Sequence, residues 1–118
     1  MIQVGDIREW RTHDVVDTGG RKIGTLEAVY VDTVTDLPAM ATVQIGLPTR
    51  HRLVFVPIED AVVGPGYLKV GYDKSLVKDA PAIGTDDILP AEDEEAVFRH
   101  YGLAYQPGAG GERRLARP

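Results

Sequence analysis

Residues 15–32 read VVDTGGRKIGTLEAVYVD, and the fold turns on how this stretch is read. Asp17-Thr18-Gly19-Gly20 is a turn signal, and paired glycines supply the positive φ that a tight hairpin needs. After the charged step Arg21-Lys22, an apolar run begins at Ile23-Gly24 and closes on Asp32. A glycine inside a strand pattern marks a bulge or a close approach of two backbones. Leu26, Ala28 and Tyr30 alternate with Glu27, Val29 and Val31, so both faces of a strand over 23–31 are partly apolar. That suits a small barrel in which a bulge switches the inward face midway.

Outward from this stretch the pattern stays β. Residues 32–38, DTVTDLP, form a turn cluster. Residues 39–47 carry the clearest two-residue period: Ala41, Val43, Ile45 and Leu47 against Met40, Thr42, Gln44 and Gly46. PTRHR at 48–52 reads as a basic loop, and LVFVPI at 53–58 as a strand. Pro57, having no N–H to give, belongs at a strand end or an edge. Gly64-Pro65-Gly66 turns 61–63 back into 67–70. Strands this short, joined by Gly/Pro turns without intervening helices, predict a mainly β fold. The expectation is a small β-barrel of five to six short antiparallel strands with one C-terminal α-helix.

At the N-terminal end, Ile2, Val4, Ile7 and Trp10 stand among polar residues, with Trp10 expected to cap one end of the core. Beyond residue 71 the period is lost. Residues 74–78 allow one helical turn, and an extended arm follows. The convincing helix is 90–101: proline at its start, acidic residues 92–95 at the positive end of the dipole, Arg99 and His100 in the last turn, Gly102 as the stop. Val97 and Tyr101 share a face at i, i+4 and, with Leu103, form a docking stripe suited to oligomer contacts. The organisation expected is a barrel over 1–79, an arm and helix over 80–105 packed on the barrel or a neighbour, and a disordered Gly/Pro-rich tail over 106–118.

Composition narrows the function classes. At 118 residues the chain fits one domain with its own core. The formal charge is −5, split unevenly: +2 on residues 106–118 and −7 on the rest. An acidic body repels a phosphate backbone, so nucleic acid is an unlikely partner. There is no cysteine, hence no disulfide or thiolate chemistry. No apolar run reaches membrane-helix length, and MIQVGDIREW lacks the pattern of a signal peptide, so no membrane insertion and a cytoplasmic location are expected.

No catalytic constellation emerges. His13, His51 and His100 are far apart and show no metal-ligand spacing. The acidic pairs sit at turns or at a helix start, where they have structural roles. DTVTDLP lacks the central glycine and terminal glutamate of an EF-hand loop. Gly19, Gly20 and Gly24 lack the Lys-Ser/Thr pair of a phosphate loop, and Ser75, the single serine, lacks a glycine elbow. No catalytic, cofactor or metal residues are assigned, and the chain is read as non-enzymatic, without a cofactor. The densest basic spot of the body, Arg50, His51 and Arg52, is the candidate partner-binding loop.

The run VVDTGGRKIGTLEAVYVDTVTD resembles the opening hairpin of PRC-barrel domains, through Val16, Asp17, Gly20, Ile23, Gly24, Val29, Val31 and Asp32. LVFVPI and VVGPGYLKV resemble that family's later strand and closing hairpin, and the likeness spans roughly 14–79. YDKSLVKDAP, the acidic helix and HYGLAY resemble the extension of free-standing bacterial members. The resemblance implies a small β-barrel without catalytic machinery common to the family. Its barrel occurs in the H subunit of the purple-bacterial photosynthetic reaction centre, in a ribosome maturation factor and in free-standing proteins. The reading is a non-catalytic protein-interaction or scaffold module, self-associating with a dimer favoured, with an unidentified protein partner besides. The alternatives are a ribosome- or RNA-processing-associated accessory factor, resting on Arg50, Arg52 and the tail arginines, and a small-ligand or metal-binding protein, resting on Asp14, Asp17 and Asp32.

Overall fold

The computed structural model of the chain describes residues 13–35, 37–47, 50–59, 61–83, 94–105 and 115–116. Strands β1 (Asp14–Val16), β2 (Lys22–Asp32), β3 (Pro38–Leu47), β4 (Arg50–Pro57), β5 (Val62–Gly64), β6 (Tyr67–Lys69), β7 (Ala82–Ile83) and β8 (Leu115–Ala116) join helices α1 (Lys74–Lys78) and α2 (Glu94–His100). The strands make one sheet in the order β5-β6-β1-β2-β3-β4-β7, with β8 added to β2. The mainly β reading holds. The details differ in four ways: eight strands are described rather than five to six, the sheet is mixed, two helices are present, and the ladder ends at β5 and β7 rather than closing among the described residues. The mixing follows from the route of the chain. β1 to β4 run as an antiparallel meander, and the β5–β6 hairpin then returns so that β6 lies parallel to β1.

β2 is the spine of the sheet. One of its edges carries β3; the other carries β1 at residues 22–25 and β8 at 31–32. Its register shifts between Leu26 and Ala28, leaving Glu27 as the extra residue. This is the bulge that the two-sided apolar pattern called for: Leu26 is buried before it, and Val29, Tyr30 and Val31 after it. Gly24 meets the other expectation. A Cβ there would lie 2.2 Å from the Gln44 carbonyl oxygen, so β2 and β3 approach each other too closely for any side chain.

Over residues 40–43 of β3 and 53–57 of β4, both faces are buried. Met40, Ala41, Thr42 and Val43 are all inaccessible, as are Val54, Phe55, Val56 and Ile58. Each fully buried Val, Leu, Ile or Phe contributes about 1.5–3 kcal/mol of transfer free energy. Period-two alternation therefore understates the burial of β3. Met40 and Thr42 of the expected outer face are covered too, while Gln44 is half-buried and Gly46 exposed, and the core cluster draws in Val77 of α1, Val97 of α2 and Leu115 of β8.

α2 is seen from Glu94 onward; the expected start at 90–93, like Trp10 and the N-terminal apolar residues, lies outside the described residues. Its acidic first turn and basic last turn match the macrodipole. It stops as expected at Gly102, whose φ is 71°. Gly102 N–H donates to Arg99 O at 3.0 Å and Leu103 N–H to Phe98 O at 2.9 Å. This pair of bonds is a Schellman motif, which returns Leu103 to the Phe98 side of the helix.

The tail departs from the expectation of disorder at residues 115 and 116. Val31 pairs with Ala116 and Asp32 with Leu115, and Leu115 is buried. A Gly/Pro-rich composition describes the connection, whereas the leucine beyond it has a core to enter.

Candidate functional site

The charged residues of the opening stretch are committed to holding the fold. Asp17 is fully buried. Its Oδ1 accepts the Gly19 and Arg21 N–H groups, both at 2.9 Å, and its Oδ2 accepts Arg21 Nε–H and the Lys74 N–H, both at 3.2 Å. Lys74 opens α1, so one carboxylate closes the hairpin turn and satisfies a helix N–H that α1 cannot satisfy itself. The Arg21 N–H is the main cause holding the Asp17 pKa below its ordinary 3.8; burial opposes it, and the Lys74 and Gly19 N–H groups and the Arg21 charge add to the lowering. Arg21 continues to Asp73 at 3.0 Å, and Asp73 accepts the Ser75 hydroxyl at 2.6 Å.

The other carboxylates offered for a ligand are equally local. Asp14 pairs with Lys22 at 3.2 Å, and Asp32 accepts the Val34 and Thr35 N–H groups of its own turn. Among the described residues, no three His, Asp or Glu side chains converge as metal ligands.

Arg50, His51 and Arg52 do not form a loop. They open β4, opposite Leu47, Gly46 and Ile45, because the β3–β4 connection takes only residues 48 and 49. The Arg52 guanidinium donates to Lys78 O, closing the C-terminal end of α1. His100 likewise meets Leu76 O at 2.6 Å, which requires the Nε2–H tautomer. The structure thus uses Arg52 and His100 to clamp α1 between β4 and α2.

The expected oligomer residues separate. Val97 and Tyr101 face their own core; the Tyr101 hydroxyl donates to Phe55 O, and its ring meets Tyr72 edge-on. Burial, with the charge of Tyr72 beside it, pushes the Tyr101 pKa well above 10.0, so the hydroxyl remains a neutral donor. Neither residue is available to another chain, because α2 spends this stripe on its own sheet. Leu103 alone stays near the surface.

Leu103 lines a cleft of roughly 370 Å³ with Leu37, Pro38, Met40, Pro57 and Phe98; Asp32 and Glu59 line it too. The Schellman turn is what brings Leu103 and Phe98 to the same wall. Across the sheet, the end strand β5 exposes Val62 at 57% and Val63 at 41%. Successive strand residues point to opposite faces, so β5 is apolar on both. Its outer edge carries no strand among the described residues.

Sequence reasoning passed over Glu94. It lies in the run Glu92-Asp93-Glu94-Glu95, read collectively as a helix start, yet it is fully buried. Its Oε1 accepts the Tyr105 hydroxyl at 2.7 Å and its Oε2 the Leu115 N–H at 2.9 Å. Nothing in a run of four acids says which one turns inward.

No described helix is long and apolar enough to cross a membrane. The family model described as PRC-barrel domain matches residues 4–77. No curated protein matches the chain.

Proposed function

From the premise that this chain belongs to the PRC-barrel family, we propose that it is a non-catalytic protein-interaction module that associates with itself. The observation that carries the reading is β5. A short strand at the end of a sheet, apolar on both faces and with no strand along its outer edge among the described residues, is the feature to which another strand adds. A second copy supplies a matching strand, and antiparallel β5–β5 pairing about a two-fold axis pairs the backbone edges and sets apolar side chains beside apolar cross-strand neighbours on each face. Sedimentation equilibrium of the full chain tests this. A dimer that Val63→Lys weakens at least tenfold supports it; an unchanged monomer mass up to millimolar concentration refutes self-association.

A second reading, a small apolar ligand, is favoured by the cleft beneath Leu103. Its lining is mainly apolar, and the two carboxylates in that lining suit a ligand with one cationic end. A thermal-shift screen of amphipathic amines against the full chain tests it, and Phe98→Ala should abolish any genuine stabilisation.

A further inference from the structure

β8 is bound to the barrel more as a ligand is bound than as a strand of a meander. Its pairing with β2 covers two residues, and it reaches that edge through residues 106–114, QPGAGGERR. Three features of the receiving surface are built by the rest of the chain. The β2 edge at Val31 and Asp32 offers backbone hydrogen bonds. The core cluster offers a socket for Leu115, which is 1% exposed there. Glu94, itself 0% exposed, aims a carboxylate oxygen at the Leu115 N–H from 2.9 Å, while its other oxygen is held by Tyr105. An extended backbone edge, a pocket for one side chain and a buried acceptor for one N–H are the parts of a strand-addition peptide site.

We propose that this groove is a peptide-binding site which the chain's own C-terminal segment occupies, and which the C-terminal segment of a second copy occupies by exchange. The inference rests on the interaction-module reading and gives it a second surface. A second copy is the fitting occupant for a physical reason: its tail makes the same contacts, and only the tether differs. The charge agrees. The segment GERRLARP brings three arginines and one glutamate to a body of net −7, so the tail of either copy is drawn to it. Covalent attachment holds the cis tail at an effective concentration on the order of millimolar, so a free segment competes poorly until the cis tail is weakened.

The test is fluorescence anisotropy of a labelled peptide of residues 111–118 with the full chain, at low salt. Leu115→Asp in the protein puts a charge in place of the leucine that fills the socket, so the peptide should bind that chain at least tenfold more tightly than the wild-type chain. The same peptide carrying Leu115→Asp should not bind. Ala116→Pro in the protein, which removes one N–H from the β8 ladder and buries no charge, provides a second host if Leu115→Asp does not fold. Light scattering in a Val63→Lys background then follows the occupant: excess peptide should dissociate whatever dimer remains. Equal, weak binding of both peptides to a folded variant overturns the site. Tight binding with no concentration-dependent dimer in the Val63→Lys background overturns the second copy as occupant. In either case a dimer weakened by Val63→Lys still stands for β5, so the two readings fail separately.

Discussion

Gly24→Ala is the most demanding test of the fold's geometry, because it adds one methyl group at the seam between β2 and β3. That methyl would lie 2.2 Å from the Gln44 carbonyl oxygen, 2.8 Å from Val43 Cγ1 and 3.0 Å from Ile45 Cγ2. Carbon atoms rest at about 3.5–4.0 Å, so the backbone oxygen must retreat by roughly 1 Å. A carbonyl in a ladder cannot rotate away, and its strand must move with it. Overpacking of this kind costs about 1–3 kcal/mol, and each ladder bond stretched in the process about 0.5–1.5 kcal/mol more. Against this, replacing glycine restricts the unfolded chain and returns only about 0.4–1 kcal/mol. The expected net loss is about 2–3 kcal/mol, a fall of roughly 1–2 M in the urea midpoint at an m-value of about 1–3 kcal/mol/M. Gly19→Ala is the control: its methyl group would sit 3.5 Å from Asp17 Oδ1, in ordinary contact. A midpoint for Gly24→Ala within error of Gly19→Ala would refute the close approach, and with it the register of β2 on β3.

Asp17, whose folded pKa is depressed, lends stability that is present above its unfolded value of 3.8 and lost as pH falls through the folded value. Thermal midpoints of the wild type should therefore drop below about pH 4, and Asp17→Asn should lower the neutral-pH midpoint while flattening that acid limb. Tyr101 has the opposite sign: with its folded pKa raised, its contribution holds below 10.0 and is lost as pH climbs beyond it. Tyr101→Phe should cost about 1–2 kcal/mol at neutral pH by leaving Phe55 O without that donor, and should weaken the alkaline limb in pH-scanned urea melts. Glu94→Ala should speed hydrogen exchange at the Leu115 amide far more than at Val43, because it removes the acceptor from one and leaves the ladder of the other.

The parts of this fold that were legible in the sequence are those fixed by local chemistry. Asp17 to Gly20 had to turn, Gly24 had to bulge or admit a backbone, Pro57 had to end a strand, and Gly102 had to stop a helix. Each of these constraints acts within a few residues, and the structure honours each. What the sequence concealed depends on partners distant along the chain. Arg52 looks like part of a basic loop because its destination is set by Lys78, twenty-six residues on. Val97 and Tyr101 look like a docking stripe because an amphipathic helix does not say which chain it docks on. Leu115, alone among polar neighbours in a Gly/Pro-rich tail, lacks any period to mark it as core.

The same distinction orders the candidate surfaces. A side chain that serves the fold is satisfied by its own chain, as Asp17 is by four donors and Tyr101 by Phe55 O. Val62 and Val63 are the opposite case: burying them would have stabilised the chain, yet they are left exposed on the strand that ends the sheet among the described residues. Exposed apolar strand edges carry an aggregation cost that proteins ordinarily suppress with charge or proline. β5 has neither within its three residues, Val62, Val63 and Gly64. Brevity alone restrains it, enough to discourage indefinite stacking and compatible with a single symmetric partner.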